Sequence, residues 1–213
     1  MKSFYKENLI EAGLDEVARG CLFGRVYAAT VIWRNEKDLN TLLTKLNIKK
    51  MIIQDSKQLN HKKRKILRDY IETVALDYSV GWVCEKEVDT LNIRHATFKA
   101  MHIALDNLTL KPESLIVDGN DFTIYKMTNH KCIVKGDTIY NSIAAASILA
   151  KVAHDEYIEN LIKDTPELKK YDIHNNMGYG TKNHINAIKK YGITHYHRKT
   201  FGICKQFKDC KTN

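Results

Sequence analysis

Four acids occupy one recurring kind of position in this chain: Asp15 and Glu16 in "GLDEV", Asp118 in "IVDGN" and Asp137 in "IVKGD". Each sits at the end of a β-like run, beside a glycine or a turn. In a sheet, the ends of neighbouring strands bring together residues that are far apart in sequence. Gathered carboxylates repel one another unless cations neutralise them. A donor set made only of oxygen favours hard ions such as Mg²⁺ or Mn²⁺ over zinc. Two such ions about 4 Å apart hold both the attacking and the leaving oxygen of a phosphoryl displacement. Taken singly, each acid is better read as a turn residue, because Asp caps tight turns. The weight comes from what flanks them.

The elements that must position these acids can be read from periodicity. "GLDEV" and "RVYAATVIW" read as two strands joined by the turn "ARGCLFG", and "ALDYSVGWVC" as a third. "SLIVDGN" and "KCIVKGD" add two short β-like runs. In "HKKRKILRDYIETVA", Leu67, Tyr70, Ile71 and Val74 form one helical stripe, with Lys62, Lys63, Arg64, Lys65 and Arg68 largely outside it. Phe98, Met101, Leu105 and Leu108 keep helical spacing in the segment that follows the third strand. The run from Ile143 to Val152 is apolar almost all round, which predicts a buried helix. "KNHINAIKKYG" predicts a shorter helix with Gly192 as its C-cap. Three early strands followed by strand and helix in alternation indicate a mixed α/β sheet covered by helices.

Bulk properties narrow the class. With 213 residues and 44% hydrophobic content, the chain is expected to form a single globular domain with a substantial core. No apolar run is long enough for a bilayer and the N-terminus lacks a signal core, so a soluble, cytoplasmic protein with no membrane partner is expected. Five scattered cysteines without a C-x-x-C pair predict reduced thiols, and the His195/His197 pair lacks the clustered ligands a zinc site needs. A net charge of +9 suits a polyanionic partner or mere solubility, and charge alone does not choose between them.

The flanking residues make the choice. "GLDEVARG", "DSKQLN", "LIVDGN", "KGD…SIAAASILAKV", "GYGTKNH" and "HRKTF" together resemble the signature set of the ribonuclease HII (type 2 ribonuclease H) family, in the family's order over nearly the whole chain. The resemblance implies a ribonuclease H-like fold: a central mixed five-stranded sheet flanked by helices, with a helical C-terminal part over about residues 155–213 and a short leader at 1–10. It implies that Asp15, Glu16, Asp118 and Asp137 are the catalytic, metal-binding acids for two Mg²⁺ or Mn²⁺ ions. It further implies an endonuclease acting on RNA/DNA hybrids and cutting 5′ of ribonucleotides in duplex DNA, leaving 5′-phosphate and 3′-hydroxyl ends. Ribonucleotide excision, RNA primer removal and a monomeric state go with the family. The tail "KQFKDCKTN" shows no paired aromatics for docking on a sliding clamp.

Substrate contacts follow by the same resemblance. Only the 2′-hydroxyl separates RNA from DNA at a given nucleotide. The family reads it with a Gly-Arg-Gly turn, which here is Ala18-Arg19-Gly20. Ala18 is expected at ordinary negative φ, with ribonucleotide selection surviving. Cys21 and Arg25 stand where the family usually has proline, which should loosen the turn. Tyr179 matches the tyrosine that packs on the deoxyribose 3′ of the ribonucleotide, and Lys57 and Asn92 match positions that contact the nucleic-acid backbone. Read alone, these three are a turn tyrosine, a solvated lysine and a helix-start asparagine. The Lys62–Arg68 cluster is either a phosphate contact or a wet helix face. Ser147 and Lys151 are expected to support the site or the strand, and His197-Arg198-Lys199 to position the duplex. Two rivals remain: a non-catalytic hybrid-binding protein of the same fold, and a two-metal nuclease or integrase acting on DNA.

Overall fold

The computed structural model describes residues 1–53 and 60–207. Its sheet has the order β3-β2-β1-β4-β5, built from β1 (Glu11–Val17), β2 (Val26–Ile32), β3 (Asp77–Val83), β4 (Ser114–Asp118) and β5 (Asn129–Ile133). β1, β2 and β3 pair antiparallel, whereas β4 lies parallel to both β1 and β5, so the sheet is mixed as expected.

Both faces of the sheet are covered, and the side-chain alternation of a strand explains how. Ala29 and Val31 of β2 face α2 (His61–Val74) and α4 (Asn141–Asp164), meeting Leu67, Ile71, Ile148 and Leu149. Ala28 and Ile32 face the opposite way, toward Phe98, Met101 and Leu105 of α3 (Glu85–Asp106). Close approach is possible because two strand positions lack a side chain. A Cβ on Gly13 would lie 2.6 Å from the Ile143 nitrogen of α4, and one on Gly81 would lie 2.3 Å from the Ala100 oxygen of α3.

The expected helical stripe on α2 is buried, and α4 is buried all round where the sequence is apolar all round. α6 (Lys182–Tyr191) ends at Gly192, at φ +75°, as its sequence predicts. Two elements differ. The periodicity reading passes over α1 (Glu36–Leu46), although Asn35 caps it and Leu39 and Leu43 keep helical spacing. β5 ends at Ile133, so Asp137 lies not at a strand end but in a 3₁₀ turn, Gly136–Thr138, leading into α4. The C-terminal part beyond α4 holds α5 (Ile173–Asn176), α6 and 3₁₀ turns around a separate core of Phe23, Ile158, Tyr171, Ile188 and Cys204.

Candidate active site

Parallel pairing of β1 with β4 puts Leu14 opposite Val117. Asp15 and Asp118 are the next residue on each strand, at the same end of the sheet. The 3₁₀ turn after β5 then brings in Asp137. One carboxylate oxygen from each of Asp15, Asp118 and Asp137 lies within 4.8 Å of the others. Glu16 lines the same cleft, with its Oε1 accepting from Arg19 Nη1 at 3.1 Å. Of the four acids singled out in the sequence, three thus share one potential ligand sphere and the fourth stands beside it.

The surroundings orient these groups. The Gly136 amide donates to Asp118 Oδ1 at 2.7 Å, and a Cβ on Gly136 would sit 2.6 Å from Ile143 Cδ1, so glycine lets that loop close. Ser147 of α4 hydrogen-bonds Asp15. Burial pushes the Asp15 carboxyl well above its ordinary range, and repulsion from Glu16 and Asp118 adds to this against the Ser147 bond. Glu16 is raised too, by burial first and by Asp118, with Arg19 opposing. These acids are held where their negative charge is unfavourable without a cation.

The cleft is completed by Ala18, Arg19, Gly20, Ser147, Lys151 and Tyr179. Here one expectation fails: Ala18 has φ +69°, a left-handed conformation, not negative φ. The chain must reverse within a few residues of Val17, and Ala18 O accepts from Cys21 N at 3.3 Å to close that reversal. For an alanine this costs roughly 1–2 kcal/mol. The expected loosening at Cys21 and Arg25 is met by cross-chain ties. Leu22 N donates to Gly178 O at 2.9 Å and Gly24 N to Tyr196 O at 2.8 Å. The Arg25 guanidinium lies 3.7 Å from the Trp82 ring centroid and 4.5 Å from that of Tyr157. Tyr179 is 39% exposed, enough to present its ring, while its phenol hydrogen-bonds the Ala18 backbone.

Other candidates disperse. Asn92 breaks α3 with φ +64° and caps the helix that resumes, its Oδ1 accepting from His95 N at 3.2 Å. It lies outside the residues lining the cleft. Asp121 is held below the ordinary carboxylate range by its bond to Arg94 first, with Arg19 and His95 adding to this. Lys57 falls outside the described residues. Three members of the basic cluster on α2 pair with acids of α4: Arg64 with Asp155 at 3.4 Å, Lys65 with Glu159 at 3.3 Å and Arg68 with Glu156 at 3.0 Å. Only Lys62 and Lys63 are exposed members of that cluster.

Asp155 also accepts from Lys151 Nζ at 2.7 Å, fixing that lysine at the cleft wall. His197 and Arg198 do not face a duplex; both are buried. His197 meets His184, Nε2 to Nε2 at 3.2 Å, and Arg198 donates to two carbonyls of the 18–24 turn. Nothing in the string "HRKTF" separates a buried arginine from a surface one. Four described cysteines are free thiols, and no helix among the described residues is long and apolar enough to cross a membrane.

Comparison with known proteins places this geometry. Residues 12–204 match the family model described as Ribonuclease HII. The chain is 46% identical to the Ribonuclease HII of Christiangramia forsetii, covering 95% of this chain and 96% of that one. It is 48% identical to that of Parabacteroides distasonis over 91% of this chain and 90% of the other. Among solved structures, the ribonuclease H2 of Pyrococcus horikoshii superposes with a TM-score of 0.72 at 25% identity, covering 93% and 96% of the two chains. The strand-end acids, the turn beside them and the clasp that ties the turn down thus stand in a chain that belongs to the ribonuclease HII family and is a ribonuclease H.

Proposed function

We propose that this protein is a cytoplasmic, monomeric endonuclease that hydrolyses the RNA strand of RNA/DNA hybrids and cuts on the 5′ side of ribonucleotides embedded in duplex DNA. It would serve ribonucleotide excision and RNA primer removal. The single observation that carries the reading is the meeting of Asp15, Asp118 and Asp137 oxygens within 4.8 Å, in a cleft shared with the Ala18-Arg19-Gly20 turn and Tyr179.

The donor set fits hard divalent ions, being oxygen only, converging and electrostatically unfavourable without a cation. Asp15, Asp118 and Asp137 would hold Mg²⁺ or Mn²⁺, with Glu16 beside them. When bound, two such ions supply an activated water and stabilise the leaving oxygen. In the hydrolysis a water oxygen bonds to phosphorus, the bond from phosphorus to the 3′-oxygen breaks, and that oxygen takes a proton. The chain's own part is orientation. Ser147 steadies Asp15, the Gly136 amide steadies one oxygen of Asp118, and Arg19 draws Glu16 aside.

Selection belongs to the turn and to the tyrosine. Backbone at 18–20 approaches the 2′-hydroxyl, with Gly20 adding no bulk: a Cβ there would meet nothing within 4 Å. The Tyr179 ring would cover the following deoxyribose, where the absence of a 2′-oxygen lets a flat surface fit. Lys57 and Asn92 would contact the nucleic-acid backbone.

The test is cleavage of a duplex with one ribonucleotide in Mg²⁺ or Mn²⁺, repeated on all-DNA duplex and with Asp118→Asn. A cut 5′ of the ribonucleotide that needs metal and Asp118 is expected. Binding without cleavage, or equal cutting of all-DNA duplex, would overturn the proposal.

A further inference from the structure

Arg198 is 0% exposed, among the largest fully buried side chains of the protein. Its Nε donates to Gly24 O at 2.9 Å and its Nη1 to Arg19 O at 3.1 Å. Its backbone amide donates to Leu22 O at 2.8 Å. Nη2 makes no hydrogen bond, and no carboxylate pairs with the guanidinium among the described residues. The Phe201 ring lies 5.1 Å from the guanidinium carbon.

A buried cation held only by carbonyls is a poor way to gain stability, since an apolar side chain of like volume usually does better. What the planar guanidinium provides is a rigid fork, with two donors at a fixed separation. The carbonyls it joins belong to the two ends of one loop. Arg19 lies in the segment that would read the ribose, and Gly24, at φ +79°, lies where the chain enters β2. The same loop bridges to Tyr179 through Cys21 and to His197 through Phe23. Fixing its width therefore fixes the distance between the turn and the exposed tyrosine.

We propose that Arg198 is a positioning residue for ribonucleotide selection: by clamping the Arg19 and Gly24 carbonyls it sets the shape of the 18–24 turn against Tyr179, without touching nucleic acid. The proposal rests on the reading of that turn given above. A lysine at 198 keeps the charge but cannot span both carbonyls, so charge and fork are separable.

The experiment compares the affinity of the full chain for a duplex with one ribonucleotide and for the all-DNA duplex of the same sequence. It uses Ca²⁺ to limit turnover and is scaled to folded protein. Arg198→Lys and Arg198→Gln are both carried, so that one soluble variant suffices. Ile188→Ala is the comparator, because it weakens the same C-terminal core, which also packs Leu22 and Phe23, while leaving every hydrogen bond to the Arg19 and Gly24 carbonyls in place. Gly20→Val probes the turn directly, placing bulk where a Cβ meets nothing.

The expected result is a fall of about tenfold in the ribonucleotide-to-DNA preference for the Arg198 variants, with all-DNA affinity held and the Ile188→Ala preference unchanged. If Gly20→Val loses the preference while the Arg198 variants keep it, Arg198 is only structural and the inference fails, although the reading of the turn stands. If Gly20→Val also keeps it, the reading of the turn fails and takes the inference with it. A loss matched by Ile188→Ala likewise overturns the inference.

Discussion

The two regions that flank the 18–24 turn are built on opposite principles. On one side, Asp15, Glu16, Asp118 and Asp137 crowd like charges at one end of the sheet, where burial first and neighbouring carboxylates next make ionisation of Asp15 and Glu16 unfavourable. On the other side, the C-terminal clasp buries His184 and His197 as a neutral pair and surrounds them with the rings of Phe23 and Tyr171. The first region is stable only in part until something of opposite charge arrives. The second closes its histidines on each other and on neighbouring rings, and its one buried cation, Arg198, is held by backbone carbonyls with Nη2 left without a hydrogen bond.

The sharpest way to break this contrast is at the acids. Asp137→Asn should lower metal-dependent cleavage by at least about a thousandfold, read in single-turnover assays, with the circular dichroism spectrum unchanged. Retained cleavage would remove the acids from the chemistry. In the clasp the expected damage is of another kind. Ile188→Ala should cost about 2–5 kcal/mol in urea unfolding while leaving activity per folded molecule near normal.

A smaller effect should have the opposite sign. Asp15→Asn removes a buried, repelled charge, so the metal-free protein should gain about 1 kcal/mol at neutral pH, or roughly 2–4 °C in melting temperature. The same variant should lose most of the stabilisation that Mg²⁺ or Mn²⁺ gives the parent. A loss of stability without metal would contradict the electrostatic account.

The two regions should also respond to pH in opposite directions. Burial raises the folded-state pKa of Asp15 and Glu16, so the folded form binds more protons than the unfolded one above the ordinary carboxylate pKa. Metal-free stability therefore falls as pH rises through that window, and added divalent ion should flatten the slope. For His197, burial and the neighbouring His184 push the pKa down to about 3. Its contribution is intact above the unfolded value of about 6.5 and is lost as pH falls toward 3. Melting curves from pH 8 to pH 4, with and without Mg²⁺, would separate the two slopes, and His197→Gln should blunt only the acid one.

The smallest effect belongs to the turn between them. Ala18→Gly should relieve the left-handed strain and stabilise the protein by roughly 0.5–1 kcal/mol, offset in part by the greater freedom of glycine in the unfolded chain. A destabilised Ala18→Gly would mean that the methyl packs more than it strains.

Much was legible before any coordinates. The α2 stripe, the all-apolar α4 and the Gly192 cap follow from spacing and residue type, because local periodicity dictates which face can be buried. Several things were not. The left-handed Ala18 stands in a turn whose later residues are tied to Gly178 and Tyr196 and whose Arg19 carbonyl is held by Arg198, and none of these partners leaves a mark on the local sequence. Basic residues on α2 look like a phosphate-binding face until α4 lays Asp155, Glu156 and Glu159 against them. The motif containing Arg198 reads as surface charge, yet it is core.

By itself the sequence determined which acids are available, which strands carry three of them, Asp15, Glu16 and Asp118, and the family to which the chain belongs. Those depend on residue type and short-range spacing, which the chain states directly. Only the tertiary structure decided that Asp15, Asp118 and Asp137 meet, because that depends on the parallel register of β1 with β4 and on a turn after β5. It also decided that the 18–24 turn is clamped from a residue more than one hundred and seventy positions away. Proximity between distant segments is a property of packing, and packing is settled by the whole chain at once.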